Sequence, residues 1–349
     1  MSEGASPGGE PVAGSREQLC LITGASGFIG GRLAERLAAD GQPVRCLVRA
    51  SSDTSRLAGL GVQLVVGDLT EPRSLADAAA GCDSVLHCAA LVSDWATRRE
   101  IVQTNVTGTR SLLEASAAAS VRRFVHFSST DVYSHPGGAA IEESYTATRF
   151  GNWYAHSKRL AEEQVRGVGA ARGLDAVLLR PATVYGPGST EAIGEIARAI
   201  RAGHMLLIDG GRAIAGLCYV ENVIDAALLA LHSPAATGRA FNLSDGLPVT
   251  WRQLSDDLAD GLGCRRARLS VPYRLAGAAG FALEHAYRLA RTATGVSTRA
   301  LLSRQAVQVL GVDQDFSARR ARELLGWEPR VDYRAGLQAT LEWLRSGYV

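Results

Sequence analysis

Two side chains in this 349-residue chain have the types and spacing for proton chemistry. They are Tyr154 and Lys158 in the run Tyr154-Ala155-His156-Ser157-Lys158. Lying four residues apart near the start of a predicted long helix, they share one helix face. A free tyrosine ionises near pH 10, and lowering that by about three units takes roughly 4 kcal/mol of preferential stabilisation of the phenolate. A compact ammonium beside the ring supplies part of it and leaves a hydroxyl able to give or take a proton. Composition singles out the pair, because 36 of the 37 basic residues are arginine and Lys158 is the one lysine. With nine tyrosines in 349 residues, chance sets that lysine four places after one of them in about one placement in forty. Arginine would serve less well, since its planar fork does not act as a point charge. Upstream, the predicted strand Phe124–Ser129 ends in the hydroxyls of Ser128, Ser129 and Thr130, which could hold a substrate oxygen or simply cap the strand end.

A second cluster points to a dinucleotide. Thr23-Gly24-Ala25-Ser26-Gly27-Phe28-Ile29-Gly30 follows a predicted strand and opens a predicted helix. Gly24 permits the tight turn, Gly27 lets a pyrophosphate approach the backbone, Gly30 lets helix pack on strand, and the helix N-terminus offers free N–H groups. The positive nicotinamide ring of such a cofactor would add to the pull of Lys158 on Tyr154. About twenty residues on, where an NAD site presents an acid to the ribose, stands Arg49, followed by Ser51 and Ser52; the first acid is Asp53. A guanidinium grips phosphate in a bidentate fork, so NADP(H) is favoured, with NAD(H) as the alternative. Asp68, ending another predicted strand, could accept from the adenine amino group or cap its own loop.

These residues need a scaffold that brings strand ends together. Apolar runs at Leu19–Thr23, Pro43–Arg49, Gln63–Asp68, Ser84–Ala90, Phe124–Ser129 and Ala176–Arg180 lack in/out alternation and so read as strands covered on both faces. Helical patterns at Phe28–Ala39, Arg98–Ala118 and Gly151–Arg172 separate them. This order predicts an α/β fold with a doubly wound parallel Rossmann sheet. Residues 1–17 read as a flexible tail, 18–181 as the dinucleotide-binding core, and 182–349 as a smaller substrate lobe interleaved with the last strands of the core. That lobe is expected to hold helices near Glu191–Ala202, Glu221–His232, Trp251–Leu262, Pro272–Ala290 and Tyr333–Leu344, and strands near Met205–Asp209 and Phe241–Leu243. The stretch Val271–Leu289 reads as a core or lid helix pair, with an amphipathic membrane contact as the alternative. A net charge of +2 is no footprint for nucleic acid. No apolar run approaches the roughly 18 residues of a membrane span, and Met1–Glu17 lacks the apolar stretch of a Sec-type signal, so neither a span nor secretion by that route is expected. The six cysteines lack metal or disulfide spacing, which favours a reducing cytoplasm. His87 and His126 read as satisfied core histidines, whereas His135 and His156 flank the expected site and could touch substrate.

Taken together, these motifs resemble the extended short-chain dehydrogenases/reductases of the epimerase/dehydratase superfamily over residues 18–346. Besides the glycine loop and YAHSK at Tyr154–Lys158, the matching pieces are GDL at Gly67–Leu69, HCAA at His87–Ala90, NVTGT at Asn105–Thr109, FSSTDVY at Phe127–Tyr133, RPATVYGPG at Arg180–Gly188, YVENV at Tyr219–Val223 and FNLSDG at Phe241–Gly246. The resemblance implies that Tyr154 is the acid/base and that Lys158 binds the nicotinamide ribose. Ser129, three residues before the valine of its motif, would orient the substrate oxygen, with Thr130 as alternative. It also implies that Leu69, Ala89, Ala90, Asn105, Pro181, Thr183 and Val184 border the cofactor.

Nucleotide-sugar members resemble one another in an RDF-x-YV segment whose arginine grips the diphosphate. Here Ala215 replaces that arginine, and only Arg212 is near enough in sequence to compensate. The LVSDW, YVEN and ARELLGWEPR segments are instead similar to the 3β-hydroxysteroid dehydrogenase-like branch. That likeness implies oxidation of a secondary alcohol, or reduction of a ketone, on a hydrophobic small molecule, with Trp95 and Trp153 offering apolar surface. A nucleotide-sugar epimerase or dehydratase is the alternative enzyme, and a non-catalytic dinucleotide sensor the alternative of another class. By the same likeness, the Arg98–Ala118 and Gly151–Arg172 helices are where such enzymes pair into homodimers.

Overall fold

The computed structural model describes residues 18–93, 96–294 and 303–348. The tail expected over 1–17 and the contribution expected of Trp95 lie outside the described residues.

The first half alternates strand and helix: β1 (Cys20–Thr23), α1 (Phe28–Ala39), β2 (Val44–Val48), β3 (Gln63–Val66), α2 (Pro72–Ala79), β4 (Ser84–His87), α3 (Arg98–Val102), α4 (Thr109–Ala118), β5 (Arg123–Phe127), α5 (Trp153–Arg172) and β6 (Asp175–Pro181). Then follow β7 (Thr183–Tyr185), α6 (Ile193–Arg201), β8 (Leu206–Ile208), β9 (Leu217–Tyr219), α7 (Val220–His232), β10 (Ala240–Leu243), α8 (Trp251–Gly261), β11 (Leu269–Val271), α9 (Tyr273–Thr294), α10 (Arg304–Gly311), α11 (Arg319–Leu325) and α12 (Tyr333–Trp343). Seven strands form one sheet in the order β10-β6-β5-β4-β1-β2-β3, every neighbour parallel. This is the doubly wound α/β arrangement, with its crevice where the order reverses between β1 and β4.

Two apolar layers explain the continuous apolar runs. Leu21, Val85, Phe124 and Leu178 pack with Leu75, Leu112 and Val165 on one face. Ile22, Leu86, Val125 and Val177 pack with Leu33, Leu37, Val223 and Ile224 on the other. Strand β3 departs from the expectation of covered strands: it is the sheet edge, and Leu64 and Val66 are exposed. Its apolar residues reflect strand propensity without a second covering layer.

Other departures are local. Between α3 and α4, residues Gln103–Gly108 form a π-helical stretch, so the expected single helix is widened in its middle. Such widenings recur at functional sites. The pair expected over Val271–Leu289 is one helix, α9, in line with the single helix expected near Pro272–Ala290. Helices α2, α10 and α11, of eight residues or fewer, and the three-residue strands β7, β9 and β11 are too short to be read from sequence, whereas β8 stands where a strand is expected near Met205–Asp209 and pairs with β11.

Candidate active site

Helix α5 starts sharply because the Asn152 side chain accepts from the Ala155 N–H at 2.7 Å. Tyr154 therefore sits in the first turn, 9% exposed, with Lys158 one turn further and 4% exposed. Lys158 Nζ donates to the carbonyl of Phe127, the last residue of β5, at 2.7 Å and lies 6.0 Å from the centre of the Tyr154 ring. Burial pushes the ammonium down to about 8; Cys88, Glu162 and Asp131 oppose that shift without cancelling it.

Ser129 stands two residues beyond the end of β5, in extended backbone, and its hydroxyl accepts from the Asp131 N–H at 3.1 Å. Thr130 is buried at the start of the next turn. Both stand at the strand end to which Lys158 is tied. Beneath them Glu162, one turn beyond Lys158, forms a buried double contact with Arg180 on β6 at 2.7 and 2.6 Å, and accepts from Ser128 Oγ at 2.7 Å. Arg180 also donates to Tyr133 Oη at 2.7 Å. Desolvation raises the Glu162 carboxyl, but Arg180 outweighs it and the net shift is downward. The sequence reading missed this pair, although Tyr154, Lys158 and Glu162 recur every four residues on one face.

At the β1 end the glycine loop fits a pyrophosphate. Gly24 takes φ +73°, and a Cβ there would lie 2.7 Å from the Ala89 nitrogen. A Cβ on Gly30 would collide with the Gly24 carbonyl oxygen. Gly27 begins α1 with no side-chain cap among the described residues, so the N–H groups of its first turn point free beside exposed Ser26 and half-buried Phe28 and Ile29. Ala89 and Ala90 leave β4 against this loop, and Asn105 holds the following residue by exchanging bonds with Leu91 at 2.7 and 3.1 Å. Asn105 Nδ2 also donates to Ser157 Oγ at 3.0 Å, tying the π-helical stretch to α5.

Arg49 is exposed, and its side chain has no partner among the described residues. Asp53 is committed to its own turn through the Ser55 N–H at 2.9 Å. Asp68 Oδ1 accepts from Thr70 N and Oγ1, and so does cap its loop, while Leu69 beside it is buried. Pro181 ends β6, and Thr183 and Val184 are half-buried in β7, which pairs with β9 outside the main sheet. Arg56, absent from the sequence reading, pairs with Glu35 and stands 3.1 Å from where a Cβ of Gly31 would be.

The histidines divide. His87 is held by Thr23 at 2.7 Å and Thr109 at 2.9 Å, and burial pushes it down to about 3, so it is neutral. His126 departs from the expectation of a satisfied core residue, because neither ring nitrogen has a partner among the described residues. Its ring lies 5.0 Å from His87, and burial keeps it uncharged. His156 lines the cavity at Tyr154, sandwiched between Phe150 at 4.9 Å and Trp153 at 5.3 Å. His135 is bound instead to Gln314 and Asp131.

That cavity, about 220 Å³, is bordered by Ile101, Phe150, Trp153, Tyr154 and His156 on one side. Glu284, Arg304 and Gln305 close the other, where Arg304 pairs with buried Glu284 at 2.9 Å. A larger open depression of about 430 Å³, lined by Arg212, Arg252, Arg266 and neighbouring acids, includes none of these residues. Arg212 is thus on a different surface from Tyr154, and the buried Ala215 offers no substitute cation.

The doubly wound sheet, the glycine loop and the Tyr–Lys helix define an NAD(P)-dependent oxidoreductase of the extended short-chain dehydrogenase/reductase type. Residues 20–244 match the NAD dependent epimerase/dehydratase family, and the chain belongs to that family. It is 32% identical to the 4-hydroxy-2-methyl-3-oxo-4-farnesyl-3,4-dihydroquinoline-1-oxide ketoreductase of Stigmatella aurantiaca, covering 91% of this chain and 94% of the relative. It is 30% identical to the 3-beta-hydroxysteroid dehydrogenase of Mycolicibacterium neoaurum, covering 92% and 90%. Among solved structures, MoeE5 in complex with UDP-glucose and NAD superposes with a TM-score of 0.74 at 26% identity, covering 95% of this chain and 99% of MoeE5.

Proposed function

We propose that this protein interconverts a ketone and a secondary alcohol on a largely apolar small molecule, using NADP(H). The observation that carries this reading is the cavity at Tyr154, where Phe150, Trp153 and Ile101 form an apolar wall opposite the polar side chains of Glu284, Arg304 and Gln305. The ketoreductase and the hydroxysteroid dehydrogenase named above support an apolar substrate. When bound, the dinucleotide supplies or takes the hydride at the carbonyl carbon. Tyr154 gives its proton to the oxygen as C=O becomes CH–OH, and recovers it in the reverse direction. Ser129 orients that oxygen, and Thr130, buried one residue on, is the less accessible hydroxyl. Lys158 favours the tyrosinate and reaches the ribose. Gly24, Gly27 and Gly30 admit the pyrophosphate, and Arg49, free of ion pairs among the described residues, takes the 2′-phosphate.

Replacing Tyr154 with Phe should lower turnover by about a hundredfold or more while leaving the nucleotide dissociation constant unchanged. An active Tyr154→Phe variant would overturn the mechanism. Titrating NADPH and NADH separately tests the cofactor: Arg49→Ser should weaken NADPH by roughly ten- to a hundredfold and spare NADH. Equal affinity of the wild type for both would remove the role given to Arg49. Turnover of a UDP- or dTDP-hexose without net cofactor consumption would establish the epimerase or dehydratase alternative, against which the missing arginine at Ala215 argues. A sensor without catalysis would gain nothing from a buried, costly lysine beside Tyr154.

A further inference from the structure

Helix α9 divides into two unlike faces. Ala276, Gly280 and Glu284 are buried toward α10. Leu275, Ala278, Ala279, Ala282, Leu283 and Ala286 are turned outward, with Leu275 62% and Leu283 43% exposed. On the flank nearer the cavity Phe281 is 50% exposed. From Leu275 to Ala286 this apolar face runs roughly 16 Å, three helical turns. An ordinary surface helix turns its charges outward. Here the single acid, Glu284, is the residue turned in, where it is 6% exposed and holds Arg304.

The chain leading into the helix has a matching character. Arg265 and Arg268 are exposed, as is Arg266, which is paired with Asp260; Leu269 is 64% exposed in β11, and Arg274 is exposed in the first turn of α9. An apolar helix face with cations at one end and no outward acid is complementary to an anionic lipid surface. Among the described residues no helix is long and apolar enough to cross a membrane, so the helix would lie in the interface and not span it.

We infer that this protein docks on anionic lipid bilayers through the outer face of α9, with the Arg265–Arg268 segment against the headgroups. Glu284, on the inner side of the same helix, and Arg304, at the start of α10, wall the cavity at Tyr154. Docking therefore sets the cavity within one helix diameter of the acyl phase. That consequence rests on the apolar-substrate reading; the docking itself does not.

The test is flotation of the full chain with vesicles of phosphatidylcholine, with and without about one third phosphatidylglycerol. Wild type should float with the anionic vesicles, and less so at high salt. Leu275→Glu/Ala282→Glu should lower partition roughly tenfold or more. Its turnover of a water-soluble ketone and its thermal midpoint should stay unchanged, since both positions are exposed. Arg265→Glu/Arg268→Glu should lose the preference for anionic vesicles while keeping the apolar face intact. Failure of the wild type to float, or equal flotation of wild type and Leu275→Glu/Ala282→Glu, would overturn the inference. So would a dimer, seen by sedimentation, that the same substitutions dissociate without any vesicle binding, because the face would then belong to a second copy. Flotation lost while ketone turnover persists separates this result from a failure of the proposed activity.

Discussion

Lys158 carries a cost that only its position beside Tyr154 repays. It is 4% exposed, and burial lowers it from 10.5 to about 8, a penalty on the order of 3 kcal/mol when charged. Below about pH 8 the residue is protonated in folded and unfolded chains alike, and the whole penalty is present. Between about 8 and 10.5 the unfolded chain binds the extra proton, so stability rises with pH in that window. Lys158→Met should therefore be inactive yet melt no lower than wild type at pH 7, with a flat stability profile where the wild type climbs. Calorimetry on both, without nucleotide, checks it, and a Lys158→Met protein that melts well below wild type would refute the penalty. Lys158→Arg keeps the charge but overfills the site beneath Phe127, and should lose activity by about a hundredfold. This residue was legible because the sequence uses lysine only once. Glu284 and Arg304 were not, since they stand twenty residues apart and nothing in either stretch marks the other.

Helix α5 is the element that turns spacing into a site. Its Asn152 cap fixes the start, and Tyr154, Lys158 and Glu162 then fall on successive turns. Glu162 anchors the helix to β6 through Arg180 and to the end of β5 through Ser128, which sets the height of Lys158 against Phe127. Glu162→Gln leaves a buried guanidinium without its counter-charge and should cost about 3–5 kcal/mol in urea unfolding. Glu162→Leu/Arg180→Leu, which removes both charges, should be the more stable of the two variants, because the pair must offset two desolvation penalties. A double variant less stable than Glu162→Gln would overturn that account. Glu162 lies below its unfolded value of 4.5, so its contribution is full above that value and is lost as pH falls through the lower folded one. Elements of this kind were legible wherever local pattern decided them, as in β1, β4 and α1. Strands β7, β9 and β11 were obscured because each has three residues and a partner that only tertiary folding supplies.

Across the whole molecule, the site is completed by segments far apart in the chain. Gln305 donates to Asp131 across 174 positions at 3.2 Å, and Gln314 meets His135 Nδ1 across 179 positions at 2.8 Å. Asp131 also stands 3.1 Å from His135 Nε2 and gives its N–H to Ser129. The α10 segment that walls the cavity is thus fastened to the strand end bearing the proposed catalytic serine. No sequence pattern announces such a closure, because its members share neither a helix face nor a strand. The fastening responds to pH through His135. Burial alone would lower this imidazole, but Asp131 and Gln314 outweigh it and the net shift is upward from 6.5. A raised folded value gives stability that is full below 6.5 and is lost as pH rises through the folded value. His135→Gln keeps a polar side chain but removes the charge. The melting difference between wild type and His135→Gln should therefore be larger near about pH 5.5 than near about pH 8.5, and protease cleavage within 303–316 should rise in the wild type over that interval. A difference independent of pH would show that His135 is neutral throughout and that α10 is held by packing alone.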